Sequence, residues 1–279
     1  MSRPLQDKVI VIAGASAGIG AATAEACAAA GMDVVLAARR RDKLQQVAAR
    51  IAARGRRAVT VACDVCHDAD VARLMEHAMG ELGRIDAVFA NAGYGLRASV
   101  LQMTDAQHRD IFEANYFGTV RTLQAAAEPM RQTEAGLRHM LVCSSAASEV
   151  ALPYFGAYAA TKAAQDAIAG SLRAELAAEG FAVTTVHPVG TRTEFFKVAS
   201  EISGTRCHEK TLNTPPFLAQ SSEAVAGKIL AALRRPRPEV WPRGFVRYGL
   251  ALLTAWPSLA ARVMRKQALK RQADGENAP

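Results

Sequence analysis

Short apolar runs recur along the first 190 residues, and stretches with helical spacing lie between them. Six of these runs are predicted to be buried strands, at residues 9–13, 34–38, 59–63, 87–90, 140–144 and 183–187. A seventh, very short strand is predicted at 239–241, between prolines. Because strands that alternate with helices form right-handed βαβ units, we predict an α/β fold. It is a doubly wound parallel sheet of six or seven strands with helices on both faces.

The first predicted strand leads directly into a glycine-rich loop, and an alanine-rich helical stretch follows that loop. Gly14, Gly18 and Gly20 give the loop the spacing Gly-x-x-x-Gly-x-Gly. Strand, glycine loop and helix in this order are the setting of a dinucleotide-binding loop. Glycines let the backbone approach a pyrophosphate, and the helix N-terminus favours its negative charge.

Tyr158 and Lys162 stand four residues apart in an alanine-rich helical stretch, so they share one helix face. A cation about 4 Å from a phenolate, at an effective dielectric near 20, is worth roughly 4 kcal/mol. That is about three pKa units, a shift that suits general acid–base chemistry. Taken alone, such a pair is more often structural. However, Ser145 ends a buried strand thirteen residues earlier, at the sheet edge where ligands bind, with Ser144 and Ser148 as competing hydroxyls.

These motifs, in this order over the first 195 residues, resemble the short-chain dehydrogenase/reductase family. The matching elements are Gly14-x-x-x-Gly18-Ile19-Gly20, Asn91-Ala92-Gly93, Asn115, Ser145, Tyr158-x-x-x-Lys162 and the stretch from Pro188 to Thr193. The resemblance implies a Rossmann-type fold and an NAD(P)-dependent oxidoreductase acting on CH–OH groups. It also implies a small-molecule carbonyl or alcohol substrate and a homodimer or homotetramer, paired through helices near 104–130 and 157–178.

The resemblance assigns a role to each candidate catalytic residue. Ser145 would hydrogen-bond the substrate oxygen, and Tyr158 would deliver the proton. Lys162 would lower the pKa of Tyr158 and hold the nicotinamide ribose, and Asn115 would order a proton relay through a water linked to Lys162. The implied cofactor-binding residues are Gly14, Ser16, Gly18, Ile19, Gly20, Arg39, Arg40, Asp64, Val65, Asn91, Ala92, Gly93, Tyr158, Lys162, Pro188, Gly190, Thr191 and Thr193.

Cofactor choice is predicted from the residues after the second strand, where Arg39, Arg40 and Arg41 precede the first acid, Asp42. A carboxylate near this position binds the ribose 2′-hydroxyl of NAD, whereas arginine accommodates a 2′-phosphate. We therefore expect NADP(H) to be preferred over NAD(H), through Arg39 first and Arg40 second. The alternative is a solvated charge run that opens a helix. For Asp64, by resemblance an adenine contact, the alternative is a helix N-cap at Asp64 or Asp68.

Composition limits the other functional classes. The N-terminus has no apolar signal segment, no stretch approaches about 20 uninterrupted apolar residues, and the five cysteines are odd in number and scattered. We therefore expect a cytoplasmic protein with reduced thiols. Cys63 and Cys66 have redox-like spacing without the context of a thioredoxin motif, so no metal or redox site is predicted there. His187, before Pro188, is interpreted as structural.

Positive charge is concentrated at the C-terminal end of the chain. Residues 234–271 contain ten Lys/Arg and one acid, which is +9 against +8 for the whole chain. We predict one oxidoreductase domain over 1–240 and a basic, apolar appendage over 241–279. Within the domain, the apolar stretch at about 191–220 is the substrate lid by family resemblance. Region 241–271, which holds Trp241 and Trp256 and is broken at Pro257, either packs over the cleft or a subunit interface, or contacts an anionic membrane. No recognition motif supports nucleic-acid binding.

The sequence thus predicts an NADPH-dependent carbonyl reductase or alcohol dehydrogenase with a hydrophobic ketone, aldehyde or secondary alcohol as substrate. The protein positions the reactants and supplies the electrostatics, and the cofactor supplies the hydride chemistry. The alternative from another class is a catalytically silent dinucleotide-binding sensor or scaffold. A pure binding protein has no need of a tuned phenol, so the complete Ser, Tyr, Lys and Asn set favours the enzyme.

Overall fold

The structure is a computed structural model that describes residues 2–134, 136–191, 193–195, 199, 202 and 217–273. Most of the predicted lid at 191–220, including Arg192 and Phe196, lies outside these described residues. Seven strands are present in the described part of the chain: β1 Val9–Ala13, β2 Asp33–Ala38, β3 Ala58–Ala62, β4 Ala87–Ala90, β5 His139–Cys143, β6 Ala182–Val186 and β7 Glu239–Val240. The predicted strands are confirmed, with bounds that differ by at most one residue.

The strands form one parallel sheet in the order β3-β2-β1-β4-β5-β6-β7. The chain builds outward from β1 to β3 and then returns to place β4 on the other side of β1. Ala13 pairs with Ala37 on one side and with Ala90 on the other, so these strands end together. The reversal between β1 and β4 is the topological switch point at which doubly wound sheets bind ligands.

Helices cover both faces of the sheet, and this explains why the strands are continuous apolar runs. The helices of the described residues are α1 Gly18–Ala29, α2 Arg41–Ala52, α3 Asp68–Leu82, α4 Asp105–Phe112, α5 Gly118–Gln132, α6 Gly156–Glu175, α7 Ser222–Arg234, α8 Gly244–Ala255 and α9 Pro257–Ala273. Ile10 and Ile12 of β1 pack with α1, α2 and α7 on one face. Val9 and Val11 pack with α3, α5 and α6 on the other.

Between α4 and α5 lies a π-helical turn, Glu113–Phe117, in which the Gly118 N–H donates to the Glu113 carbonyl. A π turn contains one residue more than an α-helical turn, and such turns occur frequently at functional sites. Asn115 lies at its centre and is fully buried. The turn therefore carries the polar Asn115 side chain into the protein between two ordinary helices.

The chain after β7 forms two helices, α8 and α9, joined at Trp256. Trp256 has a non-helical backbone (φ −123, ψ 80), and Pro257 is the first residue of α9. The break predicted at Pro257 is therefore confirmed, since proline is well tolerated at the start of a helix but not inside it. Within the described residues, no helix is both long and apolar enough to cross a membrane.

Candidate active site

A cavity of about 1000 Å³ opens at the carboxyl edge of the sheet, above the ends of β1, β2, β4, β5 and β6. Nearly all of the predicted site residues line it: Gly14, Ser16, Gly18, Ile19, Arg39, Arg40, Asp64, Val65, Asn91, Ala92, Gly93, Ser145, Tyr158, Lys162, Pro188, Gly190, Thr191 and Thr193. Gly20 and Asn115 are the exceptions, because both lie behind the cavity wall and support it. The structure thus brings the two ends of the predicted site, which are far apart in sequence, into one cleft.

The glycine loop is packed too tightly for side chains. A Cβ on Gly20 would lie 2.2 Å from the Gly14 carbonyl oxygen, and one on Gly14 would lie 2.8 Å from the backbone of Ala92. Gly14 also has a φ of +81, which favours glycine. Asn91 Nδ2 donates to the Gly14 carbonyl at 3.0 Å and ties the loop to the end of β4. The loop conformation is therefore held by its neighbours.

The start of α1 suits an anionic group. Its N-cap residue, Ala17, offers no side-chain cap, and the first turn contains no acid. The first backbone N–H groups of the helix thus have no capping side chain, and the helix dipole adds positive potential there. A dinucleotide pyrophosphate matches this donor set, and the glycine loop leaves room for it. The residues present therefore fit the cofactor that the sequence predicts.

Arginines gather beyond the end of β2, where a dinucleotide would place its adenosine ribose. Arg40 Nη2 donates to Ser16 Oγ at 3.1 Å, and Arg40 Nη1 donates to Glu194 Oε2 at 2.8 Å. Arg39 is 77% exposed and lies 3.8 Å from Asp64. Sequence reasoning missed Glu194, whose pairing with Arg40 joins residues 154 positions apart.

Asp64 contacts backbone and side chains around its own loop. Its Oδ1 accepts from the Cys66 N–H at 3.1 Å, and its own N–H donates to Asp70 Oδ2 at 2.9 Å. The alternative of a helix N-cap at Asp64 or Asp68 is wrong, because His67 is the N-cap residue of α3 and Asp68 lies inside the helix. Burial raises the pKa of Cys66 to about 11, so this thiol is protonated at neutral pH.

Ser145 and Tyr158 both line the cavity, and the Ser145 hydroxyl opposes the rise in the Tyr158 pKa that burial causes. Ser145 Oγ also accepts from the Ala147 N–H at 3.0 Å, which fixes the hydroxyl at the end of β5. The competing hydroxyls point elsewhere: Ser144 Oγ donates to the Lys162 carbonyl at 3.4 Å, and Ser148 Oγ donates to the Ser145 carbonyl at 2.8 Å. The geometry therefore selects Ser145 as the partner of Tyr158.

The expected lowering of the Tyr158 pKa by a lysine about 4 Å away is not what the structure shows. Burial raises the pKa of Tyr158, and the nearby Ser145 hydroxyl opposes that rise. Lys162 Nζ lies 5.6 Å from the Tyr158 ring centroid. Instead it donates to the Cys143 carbonyl at 2.7 Å and to Gln165 Oε1 at 2.9 Å. Burial also lowers the pKa of Lys162, because a buried ammonium loses its hydration.

Asn115 connects the π turn to both neighbours of the site. Its side-chain amide exchanges two hydrogen bonds with the backbone of Tyr94, both at 2.9 Å, just beyond β4. Its Nδ2 also reaches Thr161 Oγ1 at 3.1 Å, on the residue before Lys162. The backbone carbonyl of Asn115 accepts a hydrogen bond from Gln165 Nε2 at 2.6 Å. Sequence reasoning missed Gln165, although its position three residues after Lys162 places it on the same helix face.

His187 stands behind the site as a structural residue. Its Nε2 lies 3.0 Å from Thr185 Oγ1, and its ring stacks on Trp241 with centroids 4.3 Å apart. Trp241 Nε1 donates to Glu239 Oε2 at 2.8 Å. Trp241 is therefore packed against residues next to β6 and in β7, which contradicts the membrane alternative for this one residue of region 241–271.

An apolar wall closes the side of the cavity beyond Tyr158. The Phe195 ring lies 5.2 Å from the Tyr158 ring, and Phe217 packs 6.4 Å from Phe245 of α8. The polar Gln267 lies beside this wall, and the helices α8 and α9 contribute five apolar side chains to it: Val246, Leu250, Leu253, Val263 and Met264. Of the two arrangements that the sequence left open, cleft covering is thus present in the described residues.

A family model described as short chain dehydrogenase matches residues 8–202 of this chain, in agreement with the fold and the order of the site residues. The chain belongs to the short-chain dehydrogenase family. A zebrafish (Danio rerio) relative, dehydrogenase/reductase SDR family member 7B, is 30% identical over 273 residues, 95% of this chain and 87% of the relative. The enzyme is accordingly an NAD(P)-dependent dehydrogenase/reductase acting on CH–OH or carbonyl groups.

Solved structures agree with this family assignment. A short-chain type dehydrogenase/reductase from Mycobacterium marinum superposes with a TM-score of 0.75 at 30% identity, covering 85% of this chain and 94% of that one. An alcohol dehydrogenase from the archaeon Thermococcus sibiricus, complexed with 5-hydroxy-NADP, gives 0.72 at 27% identity, covering 84% and 94%. Similar folds have been solved with NAD as well. Solved proteins of this fold thus include complexes with both kinds of cofactor.

Proposed function

We propose that this enzyme is an NADPH-dependent carbonyl reductase or alcohol dehydrogenase whose substrate is an apolar ketone, aldehyde or secondary alcohol. The observation that carries the proposal is the presence of Ser145, Tyr158 and Lys162 together in one cavity that has an apolar wall. Two hydroxyls that line one cavity suit a carbonyl oxygen, and the aliphatic and aromatic side chains of α8, α9 and Phe195 suit an apolar body.

The described residues divide the chemistry between them. The cofactor, when bound, supplies or accepts the hydride. Ser145 donates a hydrogen bond to the substrate oxygen and stabilises the negative charge that develops there during reduction. Tyr158 Oη donates the proton that turns this oxygen into a hydroxyl. Burial raises the pKa of Tyr158, so at neutral pH the phenol is present in the protonated form that a donor requires. The Lys162 ammonium lies 5.6 Å from the centre of the Tyr158 ring, and its positive charge favours the resulting phenolate electrostatically.

The preference for NADPH is supported by the residues beyond β2. No acid stands between the end of β2 and Asp42, while Arg39, Arg40 and Ser16 line the cavity there. Guanidinium groups bind phosphate with paired donors, so a 2′-phosphate gains contacts that a 2′-hydroxyl does not.

The experiment is a panel of apolar and polar ketones and aldehydes with NADPH oxidation as the readout. Tyr158→Phe should lower turnover about 10²- to 10⁴-fold while NADPH still binds, because the ring stays and only the transferable proton is lost. The matched control is Tyr248→Phe, since Tyr248 is 77% exposed and lies outside the cavity. NADPH binding without turnover of any carbonyl would favour the silent sensor or scaffold. A Tyr158→Phe variant with wild-type turnover would refute the assigned mechanism.

We also propose a homodimer or homotetramer in which α5 and α6 pair with their copies across two-fold axes. Ala125 and Ala127 are half-buried and Ala174 is exposed, so small side chains remain at the surface of these helices. Ala126 is fully buried and packs into the core, so it is not part of this face. Phe117, 46% exposed at the end of the π turn, adds apolar surface beside α5.

The outer side of α8 and α9 supports the proposal of peripheral membrane contact for region 241–271. Five large side chains of the described residues are more than half exposed there: Phe245, Tyr248, Leu252, Trp256 and Leu269. The sequence from Val240 to Ala273 contains seven Lys/Arg and no acid. Basic charge beside exposed aromatic rings suits the surface of an anionic bilayer, with Trp256 as the headgroup-level residue. We propose a cytoplasmic enzyme that attaches reversibly to such a surface.

A further inference from the structure

Gln165 lies on α6, three residues after Lys162, and the chemistry above gives it no role. Its side chain is fully buried. Its Oε1 accepts from Lys162 Nζ at 2.9 Å. Its Nε2 donates to the Asn115 carbonyl at 2.6 Å and to Thr119 Oγ1 at 2.6 Å. The amide thus uses its oxygen and its amino group entirely within the protein, directly behind the catalytic lysine.

The orientation of this amide follows from the chemistry of its partners. The Lys162 ammonium can only donate, so it requires the amide oxygen. The Asn115 carbonyl can only accept, so it requires the amide nitrogen. Rotating the amide by half a turn would place its nitrogen, a donor, against the Lys162 ammonium and its oxygen, an acceptor, against the Asn115 carbonyl. Gln165 therefore fits between Lys162 and the π turn in one orientation only.

We propose that Gln165 is a positioning residue that fixes the Lys162 ammonium against the π turn and so sets its distance from Tyr158. The amide makes directly the connection between Asn115 and Lys162 that the family resemblance assigns to a water. The inference requires only the dehydrogenase/reductase activity of the family, and it does not depend on the preferred cofactor or on the substrate class.

The electrostatic surroundings of Lys162 make this contact consequential. Burial lowers the pKa of Lys162, while Cys143 on β5 and Asp166 on α6 act in the opposite direction. Tyr158 is the titratable group on the cavity side. Among the described residues, Gln165 Oε1 is one of two oxygens that accept hydrogen bonds from the ammonium, beside the Cys143 carbonyl. Removing it should therefore lower the pKa of Lys162 further and loosen the position of the charge.

The test compares the wild-type enzyme with Gln165→Leu, which keeps the volume and removes the amide. Gln165→Met is a second variant of similar length, and Gln46→Leu is the control because Gln46 is exposed on α2. The pKa of Lys162 is measured from the Cε resonance in ¹³C-lysine-labelled protein, with Lys162→Arg for assignment. We expect this pKa to fall by about one unit, a tenfold change in the protonation equilibrium.

Steady-state kinetics supply the second readout. We expect kcat for alcohol oxidation to fall about tenfold, with its acid limb shifted to higher pH, because a displaced cation stabilises the Tyr158 phenolate less. KM for the substrate should stay within about twofold, since Gln165 does not line the cavity. The control should match wild type in both readouts.

Three results would overturn the proposal. One is a folded Gln165→Leu or Gln165→Met enzyme with unchanged Lys162 pKa and pH profile, even if its thermal stability falls. Another is a control variant that changes as much as Gln165→Leu. The third is failure of both variants to fold, which would make Gln165 a requirement of the fold. If wild type reduces no carbonyl tested, the proposed function fails, but the Lys162 pKa still decides the role of Gln165.

Discussion

Replacing Arg39 by alanine tests the cofactor preference most directly. The Arg39 side chain is 77% exposed, and its ion pair with Asp64, at 3.8 Å, is long. Little favourable interaction energy is therefore lost when the Arg39 guanidinium leaves Asp64 and binds a 2′-phosphate. A charge-assisted contact is worth about 1.5–3 kcal/mol, and solvent screening at an exposed site favours the lower end. We therefore expect Arg39→Ala to weaken NADPH binding about ten- to thirtyfold and to leave NADH binding nearly unchanged.

Arg40 should contribute less, although its guanidinium is better ordered. Its Nη1 is bound to Glu194 at 2.8 Å, and that exposed ion pair must be broken or shared when a phosphate binds. An exposed pair is worth up to about 1 kcal/mol, which offsets part of the new contact. Arg40→Ala should therefore weaken NADPH binding by roughly two- to tenfold. The structure thus predicts the order Arg39 before Arg40.

The assay is a fluorescence titration of NADPH and NADH against both variants and the wild type, at low and high salt. Arg41→Ala is the matched control, because Arg41 is exposed at the start of α2 and does not line the large cavity. The NADPH advantage should shrink at high salt, since screened charges contribute less. Equal wild-type affinities for the two cofactors would refute the reasoning, as would an equal loss of NADH binding in Arg39→Ala.

Three further predictions concern stability, assembly and the C-terminal helices. His139 is fully buried against Thr184, and burial lowers its pKa to about 3. Below about pH 6.5 the unfolded chain therefore binds a proton that the folded chain does not. As the pH falls to about 3, wild type should lose about 1.4 kcal/mol of unfolding free energy per pH unit relative to His139→Gln. Urea unfolding of both proteins at about pH 7 and pH 5 measures this difference. Equal losses of unfolding free energy in the two proteins would contradict the prediction. Sedimentation at micromolar concentration should show a dimer or tetramer, and a single species of 29.7 kDa would count against it. Truncation after Val240 should raise KM for apolar carbonyls about tenfold relative to small ones, and it should abolish salt-sensitive co-sedimentation with anionic vesicles. Unchanged kinetics would contradict the cleft-covering role of α8 and α9. Full-length protein that does not bind such vesicles at low salt would contradict the membrane role.

The sheet could be predicted from sequence because both of its faces are covered. A strand buried on both sides is apolar at every position, so β1 is visible as a continuous run. The break between α8 and α9 could also be predicted from sequence, because Pro257 cannot lie inside a helix without loss of a hydrogen bond. In both cases the physical cause lies within a few neighbouring residues.

Long-range contacts were not accessible in the same way. The pairing of Arg40 with Glu194 depends on how the chain after β6 folds back over the cavity. The position of Lys162 Nζ depends on its hydrogen-bond acceptors, and one of them is the backbone carbonyl of Cys143. A sequence motif of side chains cannot predict a contact with backbone. The spacing of Tyr158 and Lys162 predicts a shared helix face, and it does not determine which way a flexible lysine turns.

The π turn at Glu113–Phe117 makes the rotational phase of α5 depend on a single residue. Deleting one residue from the turn would let α4 continue smoothly into α5, but it would rotate every later position by about 100° about the helix axis. Thr122, Leu123 and Ala126, which now face the core, would swing aside. Charged neighbours such as Arg121 would turn toward the sheet. The number of residues before α5 is therefore as strict a requirement as their identity.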